Sequence, residues 1–308
     1  MYKSLSRRLG VCFVLLLFTC LPRATAQAAD PSTSAKQGIA LAHKGDCKPA
    51  LPLLKKTIPR LTDNKLKYDA AMLTARCAMS IGQTGTAVET LLLLNREFPH
   101  DPEVLYTTTH FYSELASRAS QELAKDAPTS IQAQELEAEA FESQNDWDKA
   151  AAQYQRILAQ DPKTPEIHYR LGRVLLSKNP PNQEAAKKEF DEELKLDPNN
   201  APAHFMLGEI ARQAGQWPDA IEHFSRASKL DQGFAEAYLA LGMSLNSSGK
   251  FSDAVAPLQS YVKMVPEDPA GHYQLATAYA RTGRRPDAER EMAVEKETAA
   301  KAPRTGAQ

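Results

Sequence analysis

One stretch of sequence, repeated in phase along the chain, specifies the fold. Residues 201–234 read APAHFMLGEIARQAGQWPDAIEHFSRASKLDQGF, and residues 235–268 read AEAYLALGMSLNSSGKFSDAVAPLQSYVKMVPED. Both copies have Leu-Gly at their seventh and eighth residues, Gly at the fifteenth and Ala at the twentieth. Self-similarity at a period of this length predicts an array of stacked helical pairs, because one pair alone cannot bury its apolar faces.

Weaker copies of the pattern cover most of the remaining chain. The copy at 165–200 is longer, and Asn179, Pro180 and Pro181 place the insertion in the turn between its helices. The stretch 102–130 lacks both the turn glycine and the Ala-x3-aromatic pair, and we interpret it as a shortened helical pair, with a single longer helix as the alternative. The predicted units are 31–67, 68–101, the degenerate 102–130, 131–164, 165–200, 201–234, 235–268 and 269–302, followed by a predicted disordered tail, 303–308.

Each position of the repeat has a physical reason. Gly208 lies mid-way along the first predicted helix, where a small residue lets the partner helix approach closely. Gly215 follows that helix, where a left-handed residue ends it, and Asp219 puts an acid at the positive end of the next helix. Pro198, like the equivalent Pro266, stops a second helix.

These copies resemble the tetratricopeptide repeat (TPR), whose pattern is W-x2-L-G-x2-Y, then A-x3-F, then P. No copy here has Trp at the first of these positions, but the phase is kept over nearly the whole chain beyond residue 30. The resemblance implies an all-α fold, a right-handed superhelix (α-solenoid) of about seven to eight helix-turn-helix units. The composition agrees, because aromatic residues are only 7% of the chain and helix-forming residues dominate.

The N-terminal segment 1–26 has the pattern of a secretory signal peptide. A basic start with Lys3, Arg7 and Arg8 precedes an apolar run to Cys20, and Ala24-Thr25-Ala26 forms an A-x-A cleavage site. We therefore expect export, to a bacterial periplasm or cell surface, and no transmembrane span in the mature chain. The alternatives are an uncleaved anchor, for which the apolar run is short, and lipidation at Cys20, for which Thr19 fits poorly.

Charge and motifs exclude several classes of function. The chain has 37 basic and 38 acidic residues; the segment 1–26 holds four of the basic ones and no acid, which leaves 33 against 38. Such a balance supplies no concentrated basic surface, so we expect no nucleic-acid partner. No H-E-x-x-H, G-x-S-x-G, P-loop or dinucleotide motif occurs, so we predict no catalytic residue, no enzyme activity and no cofactor.

Three histidines recur at the fourth residue of their copies: His168, His204 and His272. Equivalent positions of neighbouring copies lie about 10 Å apart or more, whereas zinc ligands converge to about 2 Å from one ion. We therefore predict no metal site and interpret these side chains as packing near the helix start.

The resemblance also places the binding surface on the inner face, formed by the first helix of each pair. The positions that form this face are the second, fifth, sixth, ninth and twelfth to thirteenth residues of a copy. The residues at these positions are acidic in the middle of the chain, and further on they are rich in aromatic, Met and Arg residues. An ordinary solvated face is the alternative. The predicted partner-binding residues are Glu135, Glu139, Glu142, Tyr169, Arg170, Arg173, Phe205, Met206, Arg212, Met243, Asn246, Tyr273 and Arg281.

Cys47 and Cys77 are the two cysteines that remain after removal of the signal segment. The repeat phase puts Cys47 at the start of a second helix and Cys77 late in the first helix of the next copy, and such helices pack side by side. We predict a disulfide between them, with two buried unpaired cysteines as the alternative.

These observations predict a non-catalytic scaffold that binds a peptide or protein partner and takes part in assembling a cell-envelope complex. The alternatives are a targeting or regulatory subunit of an envelope enzyme and, less favoured, an enzyme with a site between its helices. The sequence names neither the partner nor the oligomeric state.

Overall fold

The computed structural model describes residues 30–301, and throughout this range the chain is helical with short connections. The predicted signal segment 1–26 and the predicted disordered tail 303–308 lie outside the described residues. Beside one 3-10 turn, Ile58–Arg60, the described helices are α1 (Pro31–His43), α2 (Cys47–Thr57), α3 (Asn64–Ser80), α4 (Thr84–Glu97), α5 (Pro102–Asp126), α6 (Ile131–Ser143), α7 (Trp147–Gln160), α8 (Ile167–Ser177), α9 (Gln183–Leu196), α10 (Ala201–Gln213), α11 (Trp217–Leu230), α12 (Ala235–Ser247), α13 (Phe251–Met264), α14 (Pro269–Arg281) and α15 (Arg285–Lys301).

The chain divides into two compact units after Ser117. The described part of the first holds the pairs α1–α2 and α3–α4 and the beginning of α5. The second holds the end of α5 and five consecutive pairs from α6 to α15. Seven helix-turn-helix pairs thus appear in the described range, and the predicted all-α solenoid is confirmed.

The turn within each pair forms as the sequence predicts. Gly215 has φ 69°, in the left-handed region, and its N–H donates to the carbonyl of Arg212 over 3.1 Å. In the unit 131–164 a non-glycine residue, Asn145, takes the same conformation with φ 57°. Asp219 follows in the first turn of α11, as predicted for an acid beside a helix N-terminus.

Close contact between the two helices of a pair depends on the small residue of the Leu-Gly motif. A Cβ placed on Gly208 would lie 2.6 Å from the ring of Phe224, which is fully buried on α11. Gly172 meets the ring of Phe190 in the same way. The predicted role of these glycines is confirmed, because no larger residue leaves room for the aromatic ring of the partner helix.

The degenerate stretch contradicts the predicted shortened pair. Residues Pro102–Asp126 form one continuous helix of 25 residues, the alternative that the pattern had left open. The physical reason is visible in the sequence: between Glu103 and Ala127 there is neither glycine nor proline to end a helix. The side chains of Val104 and Phe111 are buried in the core of the first unit.

The structure joins Cys47 and Cys77 in a disulfide, with 2.07 Å between their sulfur atoms and 5.0 Å between their Cα atoms. Cys47 begins α2 and Cys77 lies near the end of α3, so the bond links two successive helix pairs. Cys77 is buried, and the hydroxyl of Ser80 lies 3.6 Å from the Cys47 sulfur.

Candidate functional site

A cleft of about 490 Å³ opens on the second unit, between the first helices of three successive pairs. We call it the α10 cleft, because α10 contributes more of its lining residues than any other helix. Its apolar lining comes from Leu176 on α8, from α10 and from α12. The lining residues are Leu176, Pro181, Gln183, Phe205, Met206, Glu209, Ile210, Arg212, Gln213, Glu236, Leu239, Ala240 and Met243.

Helical spacing explains why these side chains share one face. Met206, Glu209 and Arg212 follow Phe205 by one, four and seven positions, which puts all four on one side of α10. The same positions one repeat later include Leu239, Ala240 and Met243 on α12. The repeat therefore presents the same face of each first helix to the cleft.

Phe205 is held rigidly in the wall of the cleft. Its ring centre lies 5.5 Å from that of Phe224 and 4.9 Å from that of Phe234, both outside the cleft. Tilted aromatic pairs at such distances are favourable. The apolar surface offered to a ligand is thus preformed, and little side-chain entropy would be lost on binding.

The polar rim consists mainly of groups that already satisfy each other. Arg212 donates to Glu209 from Nε, over 3.0 Å to Oε1 and 3.2 Å to Oε2, and from Nη2 over 2.7 Å to Oε2. This hydrogen bonding raises the pKa of the guanidinium. Gln183 donates to Gln213 over 2.7 Å. Among the described residues Glu236 makes no ion pair, so it is the rim charge that is available to a ligand.

Four of the predicted partner-binding residues line the cleft: Phe205, Met206, Arg212 and Met243. The predicted acidic residues lie earlier, on α6, and two of the three are compensated. Glu139 pairs with Arg170 over 2.5 Å, and Glu142 accepts a hydrogen bond of 2.5 Å from the hydroxyl of Tyr154. Burial, followed by that bond, raises the pKa of Tyr154. Glu135 is half-buried on the same helix.

The other predicted residues lie outside the cleft lining, on α8, α12 and α14. Tyr169 packs against Phe190 with ring centres 5.9 Å apart, and the guanidinium of Arg173 lies 6.0 Å from the Tyr169 ring. Burial, the largest effect, raises the pKa of Tyr169. Tyr169 and Arg173 are therefore engaged with their own repeat, whereas Arg170 pairs with Glu139 of the preceding one.

The last three predicted residues differ in whether their side chains are available to contact a ligand. Asn246 donates from Nδ2 to the backbone carbonyl of Gln274 over 3.0 Å, which links α12 to α14, and its Oδ1 is buried without a partner. Arg281 lies over the ring of Phe251, 5.5 Å from its centre. Tyr273 is 53% exposed and is free to contact a ligand.

Several lining residues escaped prediction from the sequence, for different reasons. Glu209, Glu236 and Leu239 occupy positions of the repeat that the inner-face rule includes, so the rule itself could have found them. Pro181 lies in the insertion of the α8–α9 turn, and Gln183 begins α9 directly after that turn. No periodic pattern predicts where an insertion folds.

The three recurrent histidines each bridge two parts of their repeat. The Nε2 atom of His168, His204 and His272 lies 3.2, 3.3 and 3.0 Å from the carbonyl oxygen of the proline six positions earlier. Each Nδ1 atom faces the second helix of the pair. Among residues 30–301 no three His, Cys, Asp or Glu side chains converge as metal ligands would.

None of the described helices combines the length and the apolar character that crossing a membrane requires.

Comparison with known proteins agrees with this geometry. The sequence profile of the tetratricopeptide repeat family matches residues 136–201, 182–234, 205–269 and 239–303, which together span more than half of the chain. The chain belongs to the tetratricopeptide repeat family. The α10 cleft falls within the matched residues of this TPR protein. No curated protein sequence matches the chain significantly.

Several solved TPR structures are similar in fold. YrrB, described as a TPR protein with an unusual peptide-binding site, is 21% identical, covers 59% of this chain and 93% of its own, and has a TM-score of 0.52. MamA is 21% identical, with 58% and 96% covered and a TM-score of 0.51. MamA from Desulfovibrio magneticus RS-1 is 19% identical, with 56% and 97% covered and a TM-score of 0.51. At these identities the likeness extends to the fold alone.

Proposed function

We propose that this TPR protein is a non-catalytic scaffold that binds a peptide segment of a partner protein in the α10 cleft. The observation that carries the proposal is the cleft itself: a preformed apolar surface of Phe205, Met206, Leu239 and Met243, rimmed by polar groups. Ligand sites typically combine a concave apolar lining with a few polar groups that fix orientation. YrrB has a similar fold and a peptide-binding site, which supports the same use here.

The expected ligand places one large apolar side chain between Phe205 and Met243. A cleft of about 490 Å³ accommodates a side chain together with part of its backbone. The free carboxylate of Glu236 at the rim favours a basic residue beside that anchor. The ion pair of Glu209 and Arg212 contributes no net charge.

The test begins with a displayed library of random peptides selected on the wild-type protein. We expect enriched peptides that share an apolar anchor and that lose at least about 10-fold in affinity for a Met243→Glu variant, because the new carboxylate must lose water against the anchor. Met243 lies outside the buried clusters, so the variant should fold. Binding is measured by fluorescence anisotropy.

Met264→Glu is the matched control. Met264 ends the second helix of the same repeat, is 37% exposed and lies outside the cleft lining. Peptide binding by this variant should equal that of the wild type. If Met243→Glu binds the selected peptides as well as Met264→Glu does, the α10 cleft is not the binding site.

We also propose that the protein is exported and acts in the assembly of a cell-envelope complex. The proposal rests on the basic start, the apolar run and the Ala24-Thr25-Ala26 site of the segment 1–26. Fractionation of the producing bacterium, followed by N-terminal sequencing, tests it. We expect the protein outside the cytoplasm with Gln27 as its first residue, and a cytoplasmic protein with an intact N-terminus would refute export.

A further inference from the structure

One helix pair holds two histidines where the corresponding pairs hold a histidine and a glutamate. His168 Nδ1 lies 2.6 Å from Glu189 Oε2, and His272 Nδ1 lies 2.6 Å from Glu291 Oε2. In the repeat that forms the α10 cleft, His204 Nδ1 instead lies 3.1 Å from Nδ1 of His223 on α11. The two rings are 5.4 Å apart, and His204 is only 8% exposed.

Hydrogen-bond chemistry makes these contacts respond to protons in opposite ways. A carbonyl and a carboxylate both accept hydrogen bonds, so an N–H on either ring nitrogen of a histidine between them faces an acceptor. The His204 Nε2 atom donates to the carbonyl of Pro198, so in the neutral ring its Nδ1 must accept, and His223 must donate. A histidine pair can share one added proton, but a second one leaves two N–H donors and two positive charges face to face.

The surroundings do not supply a compensating partner. The charged groups around the two rings are Glu222, Arg226 and Asp219 on α11 and Asp191 on α9. Burial is the largest effect and lowers the pKa of both histidines, and for His223 the charge of His204 lowers it further. The carboxylates oppose these effects without overcoming them.

The histidine pair is adjacent in sequence to the aromatic pair that forms the cleft wall. His204 precedes Phe205 on α10, and His223 precedes Phe224 on α11, so the histidine contact and the Phe205–Phe224 contact are adjacent along both helices. Any separation of the two histidines therefore acts on the ring that forms the cleft wall.

We propose that the His204–His223 pair makes peptide binding in the α10 cleft sensitive to acid, because double protonation separates α10 from α11 and loosens the Phe205 wall. This inference rests on the proposed function for its ligand. The direction of the pH effect follows from linkage. Below about pH 6.5 the two histidines bind protons more readily in the unfolded chain than in the folded pair. The contribution of this contact to the free energy of unfolding is therefore full above that pH and decreases as the pH falls.

The experiment measures the affinity of one selected peptide that lacks histidine, at about pH 7.5 and about pH 5. For the wild type we expect affinity to fall on the order of 10-fold in acid. The His223→Glu variant reproduces the pair of the neighbouring repeats and should change less than about 3-fold. Glu291→His places a second histidine pair in the last repeat, away from the cleft, and should leave the wild-type response unchanged.

Two further measurements separate this inference from the proposed function. Ring titrations by NMR should show His204 and His223 protonating below the ordinary histidine range, and amide hydrogen exchange should increase in α10 and α11 in acid for the wild type but not for His223→Glu. If no peptide binds at about pH 7.5, the proposed function fails, and the exchange data alone decide whether the pair loosens the helices. Equal acid responses in wild type and His223→Glu would overturn the inference.

Discussion

At the level of single residues, the repeat is held together by contacts that leave no room for an added atom. The glycine of the Leu-Gly motif and the large residue of the second helix form one such contact in three pairs, and Gly38 forms another in the first pair. Cβ atoms on Gly38, Gly172, Gly208 and Gly242 would each lie within 2.8 Å of that side chain. The common physical element is therefore the missing Cβ, and the partner can be Phe or Leu.

We predict that Gly208→Ala destabilises the protein by about 1–3 kcal/mol, because the methyl group overlaps the buried ring of Phe224. The measurement is urea-induced unfolding followed by circular dichroism. Gly85→Ala is the matched control, because a Cβ at this position in α4 meets nothing within 4 Å. Removing a helical glycine there should stabilise the protein by about 0.5–1 kcal/mol. Equal effects of the two substitutions would contradict the packing explanation.

At the level of helices, the first unit has a covalent link that the second lacks in its described part. The disulfide of Cys47 and Cys77 closes a loop with a sequence separation of 30 and joins α2 to α3. Cross-linking restricts the unfolded chain, and α2 also contains Pro52, which cannot donate a helical hydrogen bond. The bond therefore adds support where the helix itself is short and lacks the hydrogen bond of Pro52.

We predict that reducing the disulfide lowers the unfolding free energy of the first unit by about 2–4 kcal/mol. Thermal unfolding with and without reductant measures the effect. The Cys47→Ala variant should unfold at the lower temperature in both conditions, which separates loss of the bond from other effects of the reductant. In oxidised, denatured protein that lacks residues 1–26, two titratable thiols would show that the pair is not bonded.

The long helix α5 shows what happens when a repeat loses its turn signal. Its first half packs Val104, Thr107 and Phe111 into the first unit, whereas Leu105 and Tyr106 are 46% and 66% exposed. A helix without such a signal keeps growing until its sequence ends it, here before Pro128. The degenerate stretch therefore forms one long helix instead of a pair.

At the level of the whole molecule, each unit has its own hydrophobic core. The core of the first unit ends with Phe111 and the partly buried Leu115, and the cores of the second begin with Ile131. Helices of a repeat array contact mainly their neighbours, so stability is a sum of local terms. Each unit can therefore be considered by itself as a folding unit.

We predict that a fragment of residues 127–301 folds by itself, because it contains α6 to α15 and every described residue of the second unit's cores. Its helical circular dichroism per residue and its cooperative unfolding should match those of a solenoid. A shorter fragment, 147–301, lacks α6 and should be less stable by several kcal/mol, since the Ala150 and Tyr154 side chains lose their cover. Equal stabilities would show that α6 contributes no packing to the array.

The local and periodic features could be predicted from the amino-acid order alone. The phase of Leu-Gly, turn glycine and Ala-x3-aromatic predicted the helix pairs, because each of these residues acts within one pair or on the next. The resemblance to the tetratricopeptide repeat implied that Phe205, Met206, Arg212 and Met243 belong to the inner face, which is where the α10 cleft lies. The repeat phase also predicted the pairing of Cys47 with Cys77, because it places them on helices that pack side by side.

Which part of that face becomes a cleft depends instead on contacts that form only when the chain is folded. Glu139 and Arg170 are 31 residues apart and neutralise each other, so the predicted acidic surface is partly lost, whereas the inserted turn brings Pro181 to the cleft. The same holds for the histidines: their recurrence is periodic, but whether a carboxylate or a second imidazole faces them depends on one residue of the opposing helix. The repeat determines where each residue lies, and contacts between side chains far apart in sequence determine the charge and the shape of the resulting surface.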